Sequence, residues 1–110
     1  MSLHHKQLAQ GRWFQLSLSE QLANVGSEVE RALAWREKQN PRYSQLAFER
    51  ALELLSFTIG DARNRKRLKE LTRVREMLVD YFCCDNEYRS TPEFWRKYFL
   101  AFNWAARAHR

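Results

Sequence analysis

The most unusual chemistry in this 110-residue sequence is a cluster of cations, because five of the seven positions from Arg63 to Lys69 are arginine or lysine. Arg65, Lys69 and Arg73 recur at four-residue spacing, so in a helix they would repel one another, and cations near a helix N-terminus oppose its macrodipole. Cations beside free backbone amides bind phosphate oxygens well. The alternative is a solvated charged face. The spacing predicts an RNA-contacting surface formed by Arg63, Arg65, Lys66, Arg67, Lys69 and Arg73.

Patterns typical of an active site or a metal centre are absent from the sequence. The three histidines stand at positions 4, 5 and 109, and neither CxxC nor HExxH occurs. Helical ribonucleases of the HEPN class need an arginine shortly before a late histidine, but residues 102–104 before His109 contain none. Cys83 and Cys84 are adjacent, so in a helix they cannot form an ordinary disulfide with each other, and no histidine is placed to activate them. We expect buried free thiols and a protein without catalysis, cofactor or metal.

Composition favours a single all-α domain. The chain carries a net charge of +6 and is 45% hydrophobic, but it has only 3 glycines and 2 prolines, too few turn formers for a β-sandwich or barrel. No apolar run approaches the ~18 residues of a membrane-spanning helix, and the first ten residues lack the apolar stretch of a signal peptide. We therefore expect a cytoplasmic protein that does not enter a membrane.

Four segments show helical periodicity and start signals. Ser17 and Glu20 form a capping-box pattern, Pro41 suits a first helical turn, and Ser90 with Glu93 offers a second capping box. The predicted helices cover about residues 18–38, 42–59, 63–83 and 91–108, with Gly60 as a C-cap. Short connections between helices of similar length predict an antiparallel up-down-up-down four-helix bundle over residues 17–110.

Helical wheels assign most large apolar side chains to the core of this bundle. Tyr43, Leu68 and Phe94 are among the side chains expected to face inward. Residues 1–16 form a separate N-terminal arm that contains Trp13, Phe14 and Leu16. Because these three side chains are too apolar to stay in water, we expect the arm to dock on the bundle or on a neighbouring molecule.

Five large apolar residues fall outside the main apolar arcs of their helices. One exposed apolar side chain is common and needs no explanation, but five predict a contiguous patch used for self-association or partner binding. On the last helix this patch is flanked by two arginines. The predicted interface consists of Trp35, Leu46, Phe57, Arg96, Leu100, Trp104 and Arg107.

Four short stretches resemble a group of small bacterial helical proteins. They are residues 19–33, 48–55, 67–71 and 85–88, which read SEQLANVGSEVERAL, FERALELL, RLKEL and DNEY. This group resembles the Avd-like accessory proteins of diversity-generating retroelements, and the likeness extends over about residues 13–107. The resemblance implies a basic homo-oligomeric ring that binds a reverse transcriptase and its structured template RNA without chemistry of its own. None of the stretches is a catalytic signature, so no functional residue is transferred from that family.

Two hypotheses follow from these patterns. The first is a non-enzymatic, self-associating bundle that binds structured RNA and a protein partner, as a reverse transcriptase accessory subunit does. The second is a protein–protein adaptor that makes its contact through Leu100 and Trp104, with the positive charge serving only solubility. A small regulatory or toxin–antitoxin component is compatible with the same patterns.

Overall fold

The computed structural model describes residues 11–108, and every regular element within them is helical. Four α-helices are connected by short segments, and a 3-10 helix precedes the third. The prediction of an all-α protein is confirmed for this part of the chain. The elements are α1 (Leu18–Glu37), α2 (Pro41–Gly60), the 3-10 helix (Ala62–Arg67), α3 (Leu68–Cys83) and α4 (Pro92–Ala108).

The first two helices begin where the sequence signals place them. The Ser17 hydroxyl accepts a hydrogen bond from the Glu20 amide at 3.1 Å, and the Glu20 carboxylate accepts one from the Ser17 amide at 3.0 Å. Pro41 opens α2, and Asn40 Oδ1 accepts from the Tyr43 amide at 3.1 Å. These caps pair backbone donors that a helix start otherwise leaves free, so local signals are enough to fix both starts.

The start of α4 differs from the prediction by one residue. Thr91, rather than Ser90, accepts a hydrogen bond from the Phe94 amide, at 3.0 Å. Ser90 is buried, and its hydroxyl has no partner among the described residues. The predicted Ser90 cap is therefore wrong, because packing turns that side chain inward.

The single third helix predicted over 63–83 is two elements, and Gly60 does not act as a left-handed cap. None of the described glycines has a positive φ, and α2 ends because Asp61 is extended. The 3-10 helix follows, and in that geometry residues three apart eclipse one another. Asp61 and Asn64 therefore both face the interior, where both are buried.

The helices enclose one core in which α1 lies beside both α2 and α4, and α3 packs against α2. Its largest fully buried side chains include Leu22 and Leu33 of α1, Phe48 of α2, Leu71 of α3 and Trp95 of α4. At about 25 cal/mol per Å² of apolar surface removed from water, burial of such side chains is the main stabilising contribution.

Three of the predicted core residues are exposed instead. Tyr43, Leu68 and Phe94 are 48%, 41% and 43% exposed. Each lies in the first turn of its helix, at the edge of the packed region. For Leu68 there is a second reason, because the 3-10 helix turns 120° per residue rather than 100° and shifts the phase of the wheel.

Two helices approach closely at Gly26. A Cβ atom at this position of α1 would lie 2.7 Å from Cβ of Phe99 in α4. Such a distance is far shorter than the ~3.5–4.0 Å of favourable carbon contacts. Only glycine therefore fits this crossing without a shift of one helix.

None of the helices in the described part of the chain combines the length and the apolar character that crossing a membrane requires.

Candidate nucleic-acid interface

The described part of the N-terminal arm packs on the helices. Trp13 is only 7% exposed, and its indole Nε1 donates to Thr58 Oγ1 of α2 at 3.0 Å. Leu16 packs against the core, whereas Phe14 is 39% exposed. Residues 1–10 lie outside the described residues, so the docking expected for the arm applies here to residues 13–16 only.

A buried polar network holds this arm against the cationic segment. Gln21 of α1 is fully buried, and its Nε2 donates to the Trp13 carbonyl and to Asp61 Oδ2, both at 3.0 Å. Asn64 Nδ2 donates to Gln21 Oε1 at 2.9 Å and to the Thr58 carbonyl at 3.0 Å. Since these groups are hydrogen-bonded to one another, the cost of burying them is offset.

Sequence reasoning missed this network, although one signal was present. Gln21 stands in the apolar arc of α1, three residues after Leu18 and four before Val25. A polar residue at such a position must find buried partners. Its partners are Trp13 of the arm and, about 40 residues away, Asp61 and Asn64 at the 3-10 helix, so sequence spacing could not name them.

Arg63 is engaged within the molecule rather than free. Its guanidinium donates to Asp61 Oδ2 at 2.6 Å and to the Leu16 carbonyl at 2.7 Å. The hydrogen bonds that Arg63 donates to Asp61, with a further one from Gln21, lower the pKa of the Asp61 carboxyl to about 2. We call the contact between Asp61, Arg63 and the Leu16 carbonyl the arginine clamp. It connects the arm to the start of the 3-10 helix.

A backbone amide that was expected to be free for a phosphate is instead hydrogen-bonded to a carboxylate of the protein. Asp61 Oδ1 accepts from the Arg63 amide at 3.0 Å. The cations that follow belong to a short 3-10 helix rather than to the first turn of a long α-helix. The expectation of unpaired amides is therefore wrong for the Arg63 amide and for the Asn64 amide, which donates to the Asp61 carbonyl.

Arg67 braces α3 against α4. Its guanidinium donates to Glu70 Oε1 at 2.8 Å and Oε2 at 3.1 Å, and it lies 5.9 Å from the ring centroid of Phe102. The Tyr98 hydroxyl of α4 donates to Glu70 Oε2 at 2.7 Å. Burial, together with this carboxylate, raises the pKa of Tyr98. For Glu70, partial burial raises the pKa, but the hydrogen bonds from Tyr98 and Arg67 outweigh it and the net pKa is lowered.

The remaining cations of the cluster are much less constrained. Arg73 lies 3.9 Å from Glu76, and both side chains are more than half exposed, so this pair is weak and screened by salt. The side chains of Arg65, Lys66 and Lys69 are exposed and make no ion pair or hydrogen bond within residues 11–108. The structure thus divides the six predicted residues into three with acidic partners and three that are free. We call Arg65, Lys66 and Lys69 the free cation surface.

The five apolar residues of the predicted interface lie in three places. Trp35 is half-buried, and its ring packs edge-on against Tyr43 at 4.9 Å between centroids. Leu46 lies one turn after Tyr43 and is 53% exposed. We call Trp35, Tyr43 and Leu46 the α1–α2 apolar surface. Phe57 is half-buried beside the docked arm.

Leu100 and Trp104 lie together on α4. They are 53% and 70% exposed, and with Asn103, Arg107 and Ala108 they line a hollow of about 280 Å³. Arg107 is exposed and makes no ion pair within the described residues. We call this feature the α4 hollow. Three residues of the predicted interface, Leu100, Trp104 and Arg107, therefore lie together around this hollow.

Arg96 joins α4 to α1 instead of facing outward freely. Its guanidinium pairs with Glu30 at 2.9 Å and with Glu37 at 2.7 Å. The hydrogen bonds that its guanidinium donates to these two carboxylates raise the pKa of Arg96. Like Arg63, it is occupied by an intramolecular role.

Cys83 and Cys84 are free thiols, as predicted, but both are exposed rather than buried. Desolvation and the neighbouring Cys84 raise the pKa of Cys83, so its thiol is protonated at neutral pH. Since the thiolate is the nucleophile, the environment does not activate this residue. In residues 11–108, no three His, Cys, Asp or Glu side chains are grouped as metal ligands would be.

Comparison of the chain with protein-family models, with curated proteins and with solved structures gives no match to any of them. A function must therefore be argued from the side chains that the fold leaves available. The clearest are the free cation surface, the α1–α2 apolar surface and the α4 hollow.

Proposed function

We propose that this chain is a non-enzymatic helical subunit that binds structured RNA through the free cation surface. One observation carries the proposal. Arg65, Lys66 and Lys69 are three neighbouring exposed cations without an acidic partner in the described part of a chain whose net charge is +6. Lysine and arginine side chains that neutralise RNA phosphates release the counterions condensed on the RNA, and this release favours binding.

The intramolecular contacts on either side support this proposal. The arginine clamp fixes the start of the 3-10 helix, and the Arg67–Glu70 pair fixes its end. The free cations are therefore presented from an anchored backbone. Anchoring lowers the entropy that is lost on binding. In this proposal Arg63 and Arg67 position the surface, and Arg73, whose pair with Glu76 is weak, can turn to a phosphate at little cost.

We also propose the up-down-up-down four-helix bundle and a cytoplasmic location. Three neighbour relations of such a bundle are seen as α1 beside α2, α2 beside α3, and α1 beside α4. The Tyr98–Glu70 hydrogen bond supplies the fourth, between α3 and α4. Two exposed free thiols fit a reducing compartment.

A protein contact is the second part of the proposed function. The α1–α2 apolar surface exposes about half of Tyr43 and of Leu46 next to the Trp35 ring. We propose that it mediates self-association. From the resemblance to Avd-like proteins, we propose that the assembled protein serves a reverse transcriptase.

The RNA-binding surface is tested by charge reversal with a matched control. The triple variant Arg65→Glu, Lys66→Glu and Lys69→Glu is compared with a triple Glu variant at Arg42, Arg75 and Lys97. The control positions are also exposed and without an ion pair in residues 11–108, so both variants change the net charge equally.

Anisotropy of a labelled RNA hairpin, measured between low and moderate salt, gives the affinity and its salt slope. Three lost phosphate contacts should reduce the slope of log K against log salt by about 2 to 3. The control variant should keep most of the affinity and most of the salt slope. Equal losses in the two variants would show that only net charge matters and would refute a local site.

Self-association is tested by light scattering of wild type, Leu46→Glu and the neighbouring control Gln45→Glu. Burying a carboxylate in an apolar interface is costly, so Leu46→Glu should lower the measured mass, whereas the exposed Gln45→Glu should not. An unchanged mass for Leu46→Glu would exclude this surface from the assembly.

An adaptor without an RNA role is the second candidate. It is favoured by the intramolecular pairing of Arg63, Arg67 and Arg73, which leaves half of the predicted cationic cluster free. In that case the chain self-associates but binds no hairpin at low salt.

A further inference from the structure

Trp104 is the most exposed large apolar side chain in residues 11–108. It is 70% exposed, whereas Trp13 and Trp95 are 7% and 1% exposed. An exposed indole offers a ligand a large apolar face with an N–H donor at its edge. Indole rings are also the side chains on which nucleic-acid bases stack without regard to sequence.

The groups around this indole suit one class of ligand. Arg107 follows Trp104 by three residues and lines the same hollow, so its guanidinium lies on the same side of α4. Asn103 also lines the hollow, and its amide can both donate to and accept from the edge of a base. No carboxylate contributes to the lining.

Charge complementarity selects an anionic occupant. Arg107 is the charged residue that lines the α4 hollow. A purely apolar protein segment placed on Trp104 would bury Arg107 without a counter-charge, which is costly. A nucleotide supplies an aromatic ring for the indole and a phosphate for the guanidinium.

We infer, on the basis of the proposed RNA-binding function, that the α4 hollow holds one unpaired base of the bound RNA. Trp104 stacks on the base, Asn103 contacts its edge and Arg107 contacts its phosphate. Phe102 comes two residues before Trp104 and lies on the side of α4 opposite to it. The ring centroid of Phe102 is 5.9 Å from the Arg67 guanidinium. The base site and the free cation surface therefore flank the same end of one helix, so a single RNA loop can reach both.

The test separates bases from phosphates. Two labelled probes are compared, a 12-nucleotide oligouridine and an abasic oligomer with the same number of phosphates. The proteins are wild type, Trp104→Ala, Trp104→Phe and the charge-reversal triple of Arg65, Lys66 and Lys69. Because Trp104 is 70% exposed, both of its variants should keep the fold, which a thermal melt by circular dichroism verifies.

Loss of one stacked base should weaken oligouridine binding by Trp104→Ala between about fivefold and 150-fold. Trp104→Phe should recover most of the affinity, and abasic binding should not change. Oligouridine should also quench wild-type tryptophan fluorescence, and the quenching should disappear in Trp104→Ala. The salt slope should fall in the charge-reversal triple but not in the Trp104 variants.

Each negative result would exclude a different part of the proposal. If Trp104→Ala binds oligouridine like wild type, or loses both probes equally, the base site is refuted while the free cation surface stands. If Trp104→Ala instead lowers the mass seen by light scattering and leaves RNA binding intact, the hollow is a protein contact. If wild type binds neither probe, nor the RNA hairpin, the base site and the proposed function fall together.

Discussion

Replacing Gly26 by alanine tests the packing of α1 against α4, the helix that carries the α4 hollow. In an exposed helix interior this change is stabilising by about 0.5–1 kcal/mol, because glycine loses more backbone entropy on folding. Here the new Cβ would lie 2.7 Å from Phe99 Cβ and 2.8 Å from its Cγ. Favourable carbon contacts need about 3.5 Å or more, so α4 would have to move by roughly 1 Å.

That movement cannot be avoided by a rotamer change, because a Cβ is fixed to the backbone and Phe99 is only 4% exposed. Overpacking of this kind costs about 1–3 kcal/mol. After the entropic gain is subtracted, we expect Gly26→Ala to lower the free energy of unfolding by about 1–2 kcal/mol. The melting temperature should then fall on the order of 5–10 °C.

Urea denaturation followed by circular dichroism measures the change, and Gly60→Ala is its control. Gly60 ends α2 without a positive φ, and a Cβ there would meet nothing within 4 Å. That variant should be more stable by about 0.4–1 kcal/mol. A Gly26→Ala protein as stable as wild type would refute the close crossing of α1 and α4.

Three further variants test the arm and the helix starts. Asp61→Asn should cost about 1–3 kcal/mol in urea denaturation, because Arg63 loses its counter-charge. Since Arg63 lowers the pKa of Asp61 to about 2, this contribution is complete above about pH 4 and is lost as the pH falls toward 2, so the variant's stability should depend less on pH in that range. Thr58→Val should cost about 1–3 kcal/mol by leaving the buried Trp13 indole N–H unpaired, and that indole proton should exchange faster by NMR. Ser17→Ala removes the capping box and should lower the melting temperature by an amount equivalent to about 1 kcal/mol; no change would contradict the cap's role.

The helices were readable from the sequence because their signals are local. The start of α1 follows from the Ser17–Glu20 pair, and the start of α2 from Asn40 and Pro41, all within one turn of chain. The all-α class followed from the scarcity of glycine and proline. The 3-10 helix was not predictable, since its residues suit an α-helix equally well and Asn64 is held by Gln21, 43 residues away.

The sequence predicts which cations the candidate site contains, but it does not predict which of them pair with distant groups of the protein. The density of cations near Arg65 is a property of the sequence, and the three-residue spacing of Arg67 and Glu70 already allows an ion pair. The engagement of Arg63 by the Leu16 carbonyl and of Arg96 by Glu30 spans 47 and 66 residues. Such contacts exist only after the helices have packed.

The sequence by itself determined where the helices lie and how much positive charge the surface carries, because periodicity, caps and residue types act over one or two turns. The tertiary structure decided which cations and which apolar side chains remain available. Glu30 and Glu37 reach Arg96, and the Leu16 carbonyl reaches Arg63, only once the arm and the helices have packed together. Packing likewise buries Trp95 while it leaves Trp104 in water, although both lie on the same helix, since α1 covers only one side of α4.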